Sequence, residues 1–214
     1  MRKALGLLGG AFDPIHVGHL RGAISAREIL DLERVDLVPA AQSPLKQACG
    51  ASAEHRLAMI KAATNRNPWL GCDSRELNRP GPSFTFETLA ELRQTYGPLR
   101  PLIWIIGADI VPTLPNWARW PQLLSLAHFA IIGRPNSGSY PPAVGEWLTR
   151  HAISKEQVNL KASGGVLIID QPLLEIASSD LRSRLATGHD PQFLLPDVVL
   201  EYIRAHDLYI YEKQ

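Results

Sequence analysis

The chain has 214 residues, near the upper end of what one α/β domain needs, so a single domain over 1–214 with one continuous core is the expectation. Lys and Arg total 22 against 21 Asp and Glu, and the resulting net charge of +1 is too weak a field to predict a nucleic-acid or membrane-surface partner. Cys49 and Cys72 form neither a Cys-x-x-Cys pair nor a disulfide framework, which suits a reducing cytoplasm, and no apolar run approaches the roughly 18 residues of a membrane span.

Apolar runs alternate with segments of helical period along the chain. Ala4–Leu8 precedes Gly18–Leu30, Val35–Val38 precedes Ala53–Asn65, Leu70–Cys72 precedes Thr85–Tyr96, and Leu102–Ile106 precedes Pro121–Leu126. This alternation predicts βαβ units: an α/β fold with a doubly wound parallel sheet and helices on both faces. Phe129–Ile132 and Val166–Ile169 extend the sheet. Ser83 or Thr85 is the expected N-cap of the third helix, Gly97 follows it, Gly188 follows Leu181–Thr187, and Pro196 opens a last helix. The Gly/Pro/Ser-rich stretch Arg134–Pro142 predicts a long surface loop. Met1-Arg2-Lys3 and the short run after it imitate a signal peptide, but Asp13 and His16 follow too soon.

The densest chemistry lies where the first strand meets the first helix, in Gly9-Gly10-Ala11-Phe12-Asp13-Pro14-Ile15-His16-Val17-Gly18-His19. Glycines at a strand end let backbone N–H groups approach a phosphate at a positive helix terminus. His16 and His19 are three apart, so both rings project from one face of the helix opening, with Gly18 leaving room between them. A Gly-Gly turn alone is common in α/β proteins, and a lone histidine there is more often a packing residue. Their combination is far more restrictive.

Gly-Gly-x-Phe-Asp-Pro-x-His-x-Gly-His resembles the signature of the nucleotidyltransferase superfamily that shares His-x-Gly-His with class I aminoacyl-tRNA synthetases. Within it, the chain is similar to the bacterial nicotinate-nucleotide adenylyltransferases. That resemblance implies a Rossmann-like nucleotidyltransferase fold, ATP as the AMP donor and nicotinate mononucleotide as acceptor. It implies ATP contacts from Gly9, Gly10, Phe12, His16, Gly18 and His19. Gly107-Ala108-Asp109 matches the family's ribose-contacting Gly-x-Asp, and Arg134-Pro135 its Arg-Pro pair; a helix-capping Asp and a surface arginine are the plainer readings. Ile176-Ala177-Ser178-Ser179-Asp180-Leu181-Arg182 resembles the element that closes the phosphate clamp, with Ser178 capping the helix and Ser179 and Arg182 facing ATP. Lys46 follows Ser43-Pro44-Leu45 where the family has His-Lys, so Leu45 departs from the pattern.

For the acceptor, Ser83-Phe84-Thr85-Phe86-Glu87-Thr88 resembles a family helix start that carries Tyr for Phe84 and Asp for Glu87. A hydroxyl and amides at that positive end favour a carboxylate, hence nicotinate over nicotinamide. Trp117 matches the tryptophan that stacks on the pyridine ring, whereas Trp120 reads as core. His16, His19, Lys46 and Arg182 are the expected catalytic set. Mg²⁺ is expected on substrate phosphates rather than on a protein site. Phosphopantetheine adenylylation and CTP-dependent activation share the same His-x-Gly-His element and remain alternatives. A metal-dependent phosphohydrolase built on Asp13, His16 and His19 is a reading from a different class.

Overall fold

The computed structural model describes residues 3–42, 49–133, 140–171 and 174–210. Six parallel strands, β1 (Leu5–Gly10), β2 (Arg34–Pro39), β3 (Leu70–Cys72), β4 (Leu102–Gly107), β5 (His128–Ile132) and β6 (Val166–Ile169), form one sheet in the order β3-β2-β1-β4-β5-β6. The register places Leu5 beside both Arg34 and Leu102, so β1 is the central strand where the winding direction reverses. Open α/β sheets bind ligands outside the carboxyl ends of strands at that reversal. The Gly9-Gly10 end of β1 and the Gly107 end of β4 flank it.

The helices are α1 (Val17–Ile29), α2 (Ala53–Thr64), α3 (Thr85–Tyr96), α4 (Pro142–Arg150), α5 (Ser178–Ala186) and α6 (Asp197–Ala205). Alternation along each strand divides the core. Ala4, Leu8, Ile103 and Ile105 face a cluster shared with Ala23, Met59, Ile60, Leu181 and Val199, from α1, α2, α5 and α6. Leu5, Leu7, Leu102 and Trp104 face the other way onto Leu89, Leu92, Val144 and Trp147, from α3 and α4. The doubly wound expectation therefore holds.

Two local expectations are corrected. Pro121–Leu126 is not an α-helical turn: the β4–β5 connection is built from 3₁₀ segments at Val111–Asn116 and Trp120–Ser125. Pro115, inside the first segment, removes a backbone donor that an α-helix there would need. Of the Arg134–Pro142 stretch, 134–139 lies outside the described residues, and Pro142 opens α4 rather than ending a loop. Proline at a first helical position lacks only a donor that is unused there.

Candidate active site

The opening of α1 is built by a reciprocal cap between two histidines. His16 is the N-cap in extended conformation, and its Nδ1 accepts the His19 backbone N–H at 3.4 Å. The His16 backbone N–H donates to His19 Nδ1 at 3.3 Å. With both Nδ1 atoms serving as acceptors, a neutral ring carries its proton on Nε2. The rings stack with centroids 3.6 Å apart and 25° between planes. His16 is 4% exposed, and burial pushes its pKa down to about 4. At neutral pH it is therefore an uncharged N–H donor beside the positive end of α1.

Neighbouring residues hold this pair in place. A Cβ on Gly18 would lie 3.0 Å from His16 Nδ1 and 3.5 Å from the Leu174 carbonyl oxygen, so the glycine is what lets the ring lie across the turn. Phe12 has φ 50° and a buried ring that meets His19 edge-on at 5.0 Å. Its side chain supports the histidine, leaving the main chain as its route to a nucleotide.

Asp13 ties the loop to the rest of the fold. Its buried carboxylate accepts the Gly50 N–H at 2.7 Å, the Ala51 N–H at 3.1 Å and the Tyr209 hydroxyl at 2.7 Å, and Arg182 lies 3.5 Å away. A buried charge with this many partners is satisfied. Burial together with the anion pushes the Tyr209 hydroxyl pKa upward. The metallohydrolase reading needs Asp13 beside both imidazoles, and its oxygens are committed elsewhere. No group of three or more His, Cys, Asp or Glu suited to a metal occurs among the described residues.

The C-terminal element docks here with a change of role. Ala177, not Ser178, is the N-cap of α5, and it provides no side-chain cap. Ser178 instead donates to the Pro14 carbonyl at 3.0 Å, and Arg182 Nη1 donates to the Asp13 carbonyl at 2.6 Å. The N-termini of α1 and α5 are thereby pinned together. Ser179 is exposed and donates to Asp180 at 3.3 Å. Asp109 is exposed beyond the end of β4, and a Cβ on Gly107 would strike its carboxylate. Lys46 and Arg134 lie outside the described residues.

Beside this terminus, on the α3 side of the sheet, is a cavity of about 360 Å³. Gly9, Gly10 and Gly107 form its inner rim, Thr85 and Trp117 stand in its wall, and Trp104 lines it from β4. Trp117 is half-buried and donates its indole N–H to Thr113 Oγ1 at 3.2 Å. Trp120 packs against Trp147 with centroids 5.7 Å apart, as a core residue would. Phe84 is the N-cap of α3 and offers no side-chain cap, which corrects the assignment of Ser83 or Thr85. Ser83 Oγ accepts the Ala41 N–H at 2.9 Å, and among the described residues no side-chain oxygen caps the first turn of α3.

Residues that the motifs did not reveal connect the two regions. Arg56 is 1% exposed and donates to the carbonyls of Ala11, Ala40 and Ala41 at 2.8, 2.7 and 3.2 Å. It bridges the signature loop to the segment after β2, and Ser83 carries the connection on to α3. Its sequence signal was an arginine on the same helical stripe as Met59 and Ile60. Glu76, 4% exposed, lines the cavity and accepts the Thr88 hydroxyl at 2.6 Å; burial raises its pKa.

The cytidylyltransferase-like family model matches residues 7–184. A curated relative from Saccharophagus degradans, named "Probable nicotinate-nucleotide adenylyltransferase", is 41% identical over 208 residues, covering 95% of this chain and 94% of that protein. One of the same name from Aeromonas hydrophila is 42% identical over 212 residues, covering 98% of each. Among solved structures, a Plasmodium falciparum nicotinic acid mononucleotide adenylyltransferase complexed with NaAD is similar at TM-score 0.74 and 19% identity, over 97% of this chain and 98% of that one. At that identity the likeness shows the fold alone.

Proposed function

The chain belongs to the nicotinate-nucleotide adenylyltransferase family, within the cytidylyltransferase-like proteins, and from that premise we propose that it transfers AMP from ATP to nicotinate mononucleotide, releasing pyrophosphate. The product is nicotinate adenine dinucleotide, a step of NAD biosynthesis, and residues 1–214 act as one nucleotidyltransferase domain. The observation that carries this reading is the pairing of two sites at the sheet reversal: imidazole donors at the start of α1, and a cavity with an uncapped helix terminus and an indole beside it.

The acceptor's 5′-phosphate is mostly dianionic near neutrality, because its second pKa is about 6. It attacks the α-phosphorus of ATP directly; the bond to the β-phosphate oxygen breaks and pyrophosphate leaves with the electron pair. No protein nucleophile or base is required, so the protein contributes positioning and fixed donors. His16, uncharged at neutral pH, directs Nε2–H toward the triphosphate, His19 stands beside it for the same phosphates, and the N-termini of α1 and α5 supply backbone amides. Arg182 serves by holding the Asp13 carbonyl and orienting the loop. Gly9, Gly10, Gly18 and Gly107 allow close backbone approach, and Asp109 is placed for a ribose hydroxyl. Lys46 and Arg134 are assigned to phosphate on the family's pattern.

Magnesium would be carried on the ATP phosphates, where it would neutralise charge; the donors at α1 are N–H groups, which suit phosphate oxygens and not the ion itself. Thr85 and the first turn of α3 take the ring carboxylate, and Trp117 stacks on the pyridinium. The reaction is assigned to the cytoplasm, and no described helix is long and apolar enough to cross a membrane.

Pyrophosphate release from MgATP with nicotinate mononucleotide, nicotinamide mononucleotide and phosphopantetheine in parallel tests the assignment. Rapid release with nicotinate mononucleotide is expected. Comparable rates with both mononucleotides would remove the carboxylate argument, and release with phosphopantetheine alone would reassign the acceptor.

A further inference from the structure

Trp104 is 3% exposed, and its indole N–H has no hydrogen-bond partner among the described residues. Folded proteins ordinarily give a buried indole N–H an acceptor, so this donor calls for an explanation. The side chain leaves β4 toward α3 and forms part of the wall of the 360 Å³ cavity. Gly9 holds the ring in place: a Cβ built on it would lie 2.4 Å from Trp104 Cζ2, 3.1 Å from Cη2 and 3.2 Å from Cε2. The Cζ2 edge of the indole therefore packs against Gly9, itself a lining residue, and any larger residue at position 9 would displace the ring.

The two tryptophans in the cavity differ in one respect. Trp117 already gives its N–H to Thr113, which leaves its ring face for stacking. Trp104 has its N–H uncommitted and its ring packed into the core. Across the same cavity, α3 opens at Thr85 without a side-chain cap. Glu76, the acidic side chain among the described lining residues, gives an oxygen to the Thr88 hydroxyl, and its raised pKa lessens the repulsion that an incoming anion would meet.

We propose that Trp104 determines acceptor specificity: its indole N–H donates to the ring carboxylate of the acceptor, converging with the first turn of α3 on the same group. The inference rests on the adenylyltransferase reading above and adds a residue to it. A carboxylate has acceptor lone pairs on both oxygens and satisfies the two donors together. A carboxamide offers one oxygen, and its NH₂ would be set donor against donor. Hydrogen bonds to a charged acceptor are also about twice as strong as neutral ones. Trp104 thus adds to the preference for acid over amide.

The test uses the full-length protein with ¹⁵N-labelled tryptophan, whose five indole N–H signals are assigned by substitution, Trp104→Phe and Trp117→Phe among them. On saturation with nicotinate mononucleotide the Trp104 signal should move downfield, and less so with nicotinamide mononucleotide. Trp104→Phe keeps an aromatic ring and removes the donor. It should lower kcat/KM for nicotinate mononucleotide by about ten- to a hundred-fold, the span for a hydrogen bond to a charged group, and for nicotinamide mononucleotide by less. A Trp104 signal that stays in place while that of Trp117 moves would overturn the inference, because the acceptor is then bound without this donor. Equal losses for both acceptors in Trp104→Phe would overturn it too, by reducing the residue to ring volume. If no indole signal moves and the wild type shows no turnover, the failure lies with the proposed function.

Discussion

Asparagine in place of His16 separates the two tasks of that residue. As the N-cap of α1 it accepts the His19 N–H through Nδ1 at 3.4 Å, and under the proposed function its buried neutral imidazole gives Nε2–H to a substrate phosphate. Asparagine carries its amide oxygen at the same branch from Cγ and ranks among the strongest N-cap residues, so His16→Asn keeps the cap. His16→Ala loses it, which costs about 1 kcal/mol, and leaves a larger void at a site only 4% exposed. Neither variant retains the Nε2 donor, and removal of one fixed donor to developing charge lowers kcat by about 10²–10³-fold. Urea unfolding at neutral pH and pyrophosphate release at saturating substrates read the two quantities separately. The expected result is a similar loss of turnover in both variants, with Ala less stable than Asn by about 1 kcal/mol or more. His16→Asn retaining over a tenth of wild-type kcat would refute the donor role, and equal stability of the two variants would refute the cap.

Arg56→Met strips the half-buried carbonyls of Ala11, Ala40 and Ala41 of their donor. Unfolding free energy should fall by about 3 kcal/mol or more, and a change under 1 kcal/mol would mean that the loops do not depend on this bridge. The pH dependence of stability follows from two buried histidines. His16 is depressed to about 4, and burial lowers His128, whose Nδ1 accepts the Gly165 N–H at 2.9 Å. The unfolded chain therefore binds more protons below its histidine pKa of about 6.5, so stability should fall as pH falls from there toward 4, by up to about 3 kcal/mol for His16 alone. Unfolding measured across that range should show a smaller decline in His16→Asn, and identical slopes would contradict the assignment. Trp117→Ala should raise KM for the acceptor about five-fold or more while leaving KM for MgATP near wild type, from loss of a ring–cation contact of about 1 kcal/mol. A rise confined to MgATP would move Trp117 out of the acceptor site.

The parallel sheet was legible because buried strands such as Leu102–Ile106 are nearly uniform apolar runs separated by helical periods. The candidate phosphate end of the site stands out in the sequence because histidines, glycines and a capping position crowd into eleven consecutive residues, Gly9 to His19. What escaped was assembled across long separations. Asp13 meets Tyr209 across 196 positions and Arg182 across 169, and no local pattern announces either contact. Arg182 read as a phosphate ligand, and the fold shows its guanidinium holding the loop. Ser178 read as a cap, yet its hydroxyl reaches Pro14, because Ala177 already occupies the cap position. Helix α4 was hidden by its prolines, which mark loops in composition but suit a first helical turn. Trp104 lay within an apolar strand, where an indole N–H without a partner cannot be distinguished from one that has found one.

Exchange of labelled pyrophosphate into ATP, with and without nicotinate mononucleotide, bears most directly on the claim that both substrates are held together for direct transfer. Exchange that requires the mononucleotide is the predicted result, since the acceptor's own phosphate is the nucleophile. Exchange in its absence would contradict direct transfer by revealing an adenylylated protein group, and none under either condition would contradict the adenylyltransferase assignment itself.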